Sequence, residues 1–190
     1  STTTSSTAVT SAPTSFPTFF PTTVPACEDI DLGGGNIINT CNSTIPQNAT
    51  VSKGTVVVVA TVWIVEELAM ENDAIMSVSG VLNITGRFNI TGARIVVKAR
   101  ATIYVSNLET NGGGQIVIEK GGKVVVSANV SFTGSSMTIG DEGSLVVHGN
   151  VYLSRNATLN ITQSSSGQPL VVNGELTVDG ADLIVAILKS

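Results

Sequence analysis

Acid–base chemistry in this chain would have to come from 14 Asp and Glu residues and a single His. Cleaving a glycosidic bond needs two carboxyl groups converging in a cleft, one as acid and one as nucleophile or base. The acids are spread out instead: Glu66 and Glu67, Glu71 and Asp73, Glu109, Glu119, Asp141 and Glu142, Glu175, Asp179 and Asp182. Asp141/Glu142 fall one repeat beyond Glu119/Lys120, which reads as a ladder of solvated charges rather than a catalytic dyad. His148 has no Ser or Cys partner in view, and GGG at 33–35 and 112–114 lacks the following Lys-Ser/Thr of a phosphate loop. These glycines read as turns. The chain is expected to be no enzyme, with no catalytic residue, metal site or cofactor.

A different chemistry is written repeatedly. Seven N-x-[ST] acceptors occur, at Asn42, Asn48, Asn83, Asn89, Asn129, Asn156 and Asn160. Chance at this composition gives about three, so the excess points to covalent N-linked glycans and a secretory route. Only 12% of residues are charged, half the ~25% usual for a soluble domain. Attached sugars would supply the missing solubility. Cys27 and Cys41 fit the same compartment. A disulfide between them would close a short loop and contribute about 3 kcal/mol in an oxidising environment.

The net charge of −5, with no basic block, argues against a nucleic-acid partner. The longest apolar runs, Val56–Ala60 and Leu183–Leu188, fall far short of the roughly 20 residues of a membrane-spanning helix. There is no initiator Met and no charged-then-apolar leader, so the chain reads as a processed product or a segment of something longer.

Three regions are expected to position these groups. Residues 1–26 form an extended Ser/Thr/Pro-rich arm: 14 of the first 25 are Ser or Thr, and Pro13, Pro17, Pro21 and Pro25 recur every fourth residue. This composition favours polyproline-like chain and O-glycosylation. Phe16, Phe19 and Phe20 put three of the five Phe on the arm. Apolar aromatics there suggest a docking element. Residues 27–50 read as a disulfide-stapled cap.

Residues 51–190 read as a repeat. Leu82, Ile103, Val124, Leu145 and Leu170 lead apolar segments spaced by 21, 21, 21 and 25. Phe88, Leu108, Val130, Val151 and Leu176 run at 20, 22, 21 and 25, and Ile95, Ile116, Met137, Leu159 and Leu183 at 21, 21, 22 and 24. Three registers share one period, stretched once at QSSSG, 163–167. Apolar residues alternate within each segment, as in Leu82/Ile84 and Phe88/Ile90, so each is a strand with one face inward. Thr55–Gly80 fits as an earlier, irregular coil with strands near Val57, Val62 and Ile75. Gly86, Asn107, Ala128, Gly149 and Gly174 mark a corner, where Gly and Asn would supply left-handed backbone. The fold class is all-β: a three-sided parallel β-solenoid of ~21-residue coils preceded by the arm. Six coils would make a rod roughly 29 Å long. Asn83, Asn89 and Asn160 fall between inward residues, and Asn129 and Asn156 at corners.

With its repeats of the type LNITG…FNITG…ARIVV at 82–97 and its Thr/Ser/Pro stalk, the chain resembles parallel β-helix proteins. These include cell-surface and adhesin-like glycoproteins of eukaryotic microbes. The resemblance implies an architecture, and matches no catalytic motif.

A stacked solenoid leaves strand edges and core exposed at its ends unless they are capped. ADLIVAILKS is nearly all apolar from Leu183, so Leu183, Val185 and Leu188 are expected at an open end that a second subunit covers. The expected function is a structural, extracellular glycoprotein that assembles head-to-tail with itself, its arm docking through Phe16, Phe19 and Phe20 on a neighbour. The alternative is a monomeric stalked adhesin binding glycans or another cell. A polysaccharide-active enzyme comes third.

Overall fold

A computed structural model describes residues 30–31, 37–39, 43–45, 49–52, 55–163 and 168–187. Every regular element among them is a β-strand. The chain winds through three faces per turn. The first face stacks Val56–Val59, Ile75–Val78, Arg94–Val97, Gln115–Ile118, Ser136–Ile139, Thr158–Gln163 and Asp182–Ile187. The second carries Val62–Val65, Lys123–Val126, Ser144–Val147 and Leu170–Val172; the third carries Leu68–Glu71, Val130–Thr133, Val151–Ser154 and Leu176–Asp179. Two long strands, Val81–Thr91 and Thr102–Asn111, turn the corner between the second and third faces without a break in pairing type. Six turns lie between Val56 and Asp179.

All pairing between these turns is parallel, in the registers that the spacing implies. Leu82, Ile103, Val124, Leu145 and Leu170 are successive partners on the second face. Phe88, Leu108, Val130, Val151 and Leu176 follow one another on the third. Ile95, Ile116, Met137, Leu159 and Leu183 do so on the first.

The first turns differ from the sequence expectation. Thr55–Gly80 holds more than one irregular coil, because Leu68–Glu71 forms a third-face strand that the sequence reading omitted. Val57, Met76 and Ile95 are partners at spacings of 19 rather than 21. Parallel pairing also reaches back from Val56. Ile37–Asn39, Ser43–Ile45 and Ala49–Val51 lie beneath Val57–Val59, Trp63–Val65 and Leu68–Met70. Ile30–Asp31 then pairs antiparallel with Ile37–Ile38, reversing the pairing direction along the first-face edge.

The core is the tube enclosed by the inward residues. Burial alternates along the strands from Val56 to Ile161 except where the two long strands turn their corner, and inward residues such as Val78, Ile90, Ile95, Met137 and Leu159 are wholly buried. Each such side chain contributes about 1.5–3 kcal/mol by leaving water. Two polar residues are buried with them, Thr110 and Ser135, and their hydroxyls meet at 2.6 Å. Each hydroxyl thereby avoids the cost of an unpaired buried polar group.

The corner glycines are needed for a reason other than the expected one. Gly86, Asn107, Ala128, Gly149 and Gly174 are not among the left-handed residues. At Gly86, Gly149 and Gly174 close stacking of turns excludes a side chain instead. A Cβ on Gly86 would lie 2.8 Å from the Glu66 carbonyl oxygen, and one on Gly174 would lie 2.5 Å from that of Gly149. A Cβ on Gly149 would collide with the Ala128 carbonyl oxygen and approach Asn129 Oδ1 to 2.7 Å. Left-handed backbone is concentrated at the other two corners: Asn72, Asp73, Gly92, Gly112, Gly113, Gly134, Arg155, Asn156 and Gly180 at one, Arg100, Gly121 and Glu142 at the other. These two uses of glycine predict different penalties. Gly149→Ala is expected to cost about 3 kcal/mol by overpacking. Gly113→Ala, at φ 83° with open space around it, costs only the left-handed strain of about 1–2 kcal/mol. Urea midpoints of the two variants measure the difference, and the reverse order would refute the close-approach account.

Candidate functional site: outward faces and the uncovered end

Alternation that turns Leu82, Ile84, Phe88 and Ile90 inward turns Asn83 and Asn89 outward, where both are half-buried by their neighbours. Asn160 takes the same position on the first face, between buried Leu159 and Ile161. Asn156 is exposed in a left-handed corner at φ 62°, a conformation asparagine tolerates better than most residues. Asn42 and Asn48 lie outside the described residues.

Asn129 is exposed at the corner between the second and third faces and belongs to an asparagine ladder. The Asn129 N–H donates to Asn107 Oδ1 at 3.4 Å, Asn150 N–H to Asn129 Oδ1 at 3.0 Å, and Glu175 N–H to Asn150 Oδ1 at 2.9 Å. Only Oδ1 of Asn129 is used. An N-linked sugar is carried on Nδ2, so the ladder and a glycan are compatible at this residue. The sequence signal was present, in Asn immediately before Leu108, Val130 and Val151, but it takes a stacked corner to read it as a ladder.

The acids do not converge. Glu109 pairs with Arg87 across one turn at 3.5 Å, and Glu119 with Lys98 at 2.7 Å. Lys120 reaches Glu142 at 3.3 Å and Asp141 at 3.6 Å. The hydrogen bond that Lys120 donates to Glu142, followed by the charges of Glu142 and Asp141, raises the Lys120 pKa above its ordinary value. All of these pairs are solvated, and such pairs add little to stability. His148 is exposed and meets Asn173 Nδ2 through Nδ1 at 3.0 Å. Among the described residues, no group of three His, Cys, Asp or Glu could hold a metal ion.

The two ends of the described rod contrast. Leu153, Leu159 and Ile161 are at most 4% exposed, yet their partners one turn on, Val178, Leu183 and Val185, are 44%, 40% and 52% exposed. These are inward positions with no turn above them among the described residues. A cavity of about 480 Å³ opens beside them, lined by Ile161, Leu170, Val172 and Val185 among others. At the opposite end the Trp63 indole is buried, with no described partner for its Nε1. Cys27, Cys41, Phe16, Phe19, Phe20 and Leu188 lie outside the described residues.

Fold and surface together define a parallel β-solenoid repeat protein. Among the described residues no helix is long and apolar enough to cross a membrane, which says nothing of strands. No family model, curated protein or solved structure matches the chain.

Proposed function

We propose that this chain is a structural, extracellular glycoprotein that assembles head-to-tail into a filament, its N-terminal arm docking on a neighbouring subunit. The observation that carries this reading is the apolar surface that the last turn presents among the described residues. Val178, Leu183 and Val185 continue three rows of otherwise buried core residues, and exposed apolar surface of this kind is stabilised by a partner. A contact between one end of a subunit and another part of the next is heterologous, and it propagates unless it closes into a ring. Support for the glycoprotein part comes from the seven acceptor sites and from the outward or corner placement of the five described ones.

Electron microscopy of the full chain, expressed through a secretory pathway and left glycosylated, tests the reading. Ordered fibrils are expected. Replacing Phe16, Phe19 and Phe20 together by Ser should leave dispersed, folded rods, because aromatic anchors carry much of the energy of such contacts. Dispersed rods from the unaltered chain would favour the monomeric adhesin instead, and glycan binding would then be the measurement to make.

A further inference from the structure

The outward sides of the second and third faces differ in chemistry, and the first face mixes the two, with Val58, Ser77, Val96, Val117, Thr138 and Asn160 along its centre. At the centre of the third face the outward residues are Ala69, Asn89, Glu109, Ser131, Tyr152 and Thr177. The same row on the second face reads Ile64, Asn83, Tyr104, Val125, Val146 and Val171. Four consecutive turns, from Tyr104 on, therefore put an apolar side chain at the centre of a face that water would otherwise cover. Tyr104 stands out at 46% exposure, beside a depression of about 280 Å³ whose lining includes Asn83, Thr85, Ser106, Val125 and Ser127. Among the described residues of this face's strands, from Val62–Val65 to Leu170–Val172, Lys123 is the one charged residue at an outward position, with Glu66 just past the first of them. Asn83 is the one described glycan acceptor on its strands. The row from Tyr104 to Val171 carries none.

We infer that this second face is the seat of the arm of a second copy, with residues 13–25 as the occupant. The inference rests on the filament reading and deepens it. Residues 1–27 carry no charged side chain, which suits a face with a single Lys. Length also fits. The 29 residues before Ile30 would span about 90 Å in the polyproline conformation that their composition favours. That is some three times the roughly 29 Å of six turns, so an arm leaving one rod can run the length of the next. Register agrees as well. Polyproline residues three apart share a side at about 9.3 Å, and two solenoid turns advance about 9.6 Å. Pro13, Phe16, Phe19, Thr22 and Pro25 then form one side, and two neighbours on it, Phe16 and Phe19, match two alternate turns of the four-turn apolar row.

Two measurements on the full-length, glycosylated chain test this. Val125→Lys and Val146→Lys place charge in the row without touching the core. Each is expected to raise the protein concentration needed for fibril formation by at least about tenfold. Tyr152→Lys, an exposed control on the third face, should leave that concentration unchanged. Separately, a photoreactive phenylalanine in place of Tyr104, in fibrils mixed from isotopically heavy and light chains, should yield heavy–light adducts with residues 13–25. Normal assembly of both Lys variants would overturn the assignment of this face while leaving the filament standing. Adducts confined to single chains would show that a subunit's own arm lies there, and would overturn the second-copy occupant. Wild-type chains that stay monomeric would overturn the filament reading and the inference with it.

Discussion

Phe132→Ala is expected to destabilise the protein by about 3–5 kcal/mol, the range for removing a buried Phe. Phe132 is 1% exposed on the inner side of the third face, between Thr110 in the turn before and Leu153 in the turn after. Thr110 is small, and its hydroxyl is tied to Ser135, so it cannot expand into the space left behind. The backbone cannot collapse either, because each strand is held by parallel ladders on both edges. A typical domain has only about 5–15 kcal/mol in total, so the loss is severe. It is also local, since each turn touches only its neighbours. Trp63, the single tryptophan, sits several turns away near the other end. In the unaltered protein, its fluorescence and the circular dichroism of the strands should unfold together in urea. In the variant, the two transitions should separate as well as shift to lower urea. A loss under about 1 kcal/mol, with coincident transitions, would mean that the core is not close-packed around this ring.

Leu183→Asp combined with Val185→Asp is expected to abolish fibrils while leaving the monomer folded. Both side chains are already half in water, so charge there adds little cost to the isolated subunit. In a contact that covers the end, two carboxylates would be buried without partners, which costs several kcal/mol. Circular dichroism should match the unaltered chain, and electron microscopy should show single rods. Fibrils that persist would move the contact away from this end.

Much of the architecture was legible because the solenoid repeats one local rule. Inward residues recur with period two along a strand and about 21 along the chain, and both periods survive in a single sequence. The strand Leu68–Glu71 escaped notice because Glu66-Glu67-Leu68-Ala69-Met70 contains no β-branched residue and leans towards helix. It is a strand because Ala49–Val51 and Phe88–Thr91 offer it partners on both edges. Of the surface, the outward placement of Asn83, Asn89 and Asn160 could be read from strand alternation. The chemical difference between the faces could be read only after each strand had been assigned to one.

By itself, then, the sequence determined the strands from Val81 onward, their registers and which side chains point inward, since these follow from short-range alternation and a repeated spacing. Only the tertiary structure decided why the corners are built as they are. Gly149 and left-handed Gly113 look alike in a sequence, but one lies against the carbonyl of the turn beneath and the other has open space around it. The Thr110–Ser135 pair, 25 residues apart, and the asparagine ladder across successive turns are of the same kind. Such contacts depend on the distance between stacked turns, a quantity that no local pattern of residues encodes.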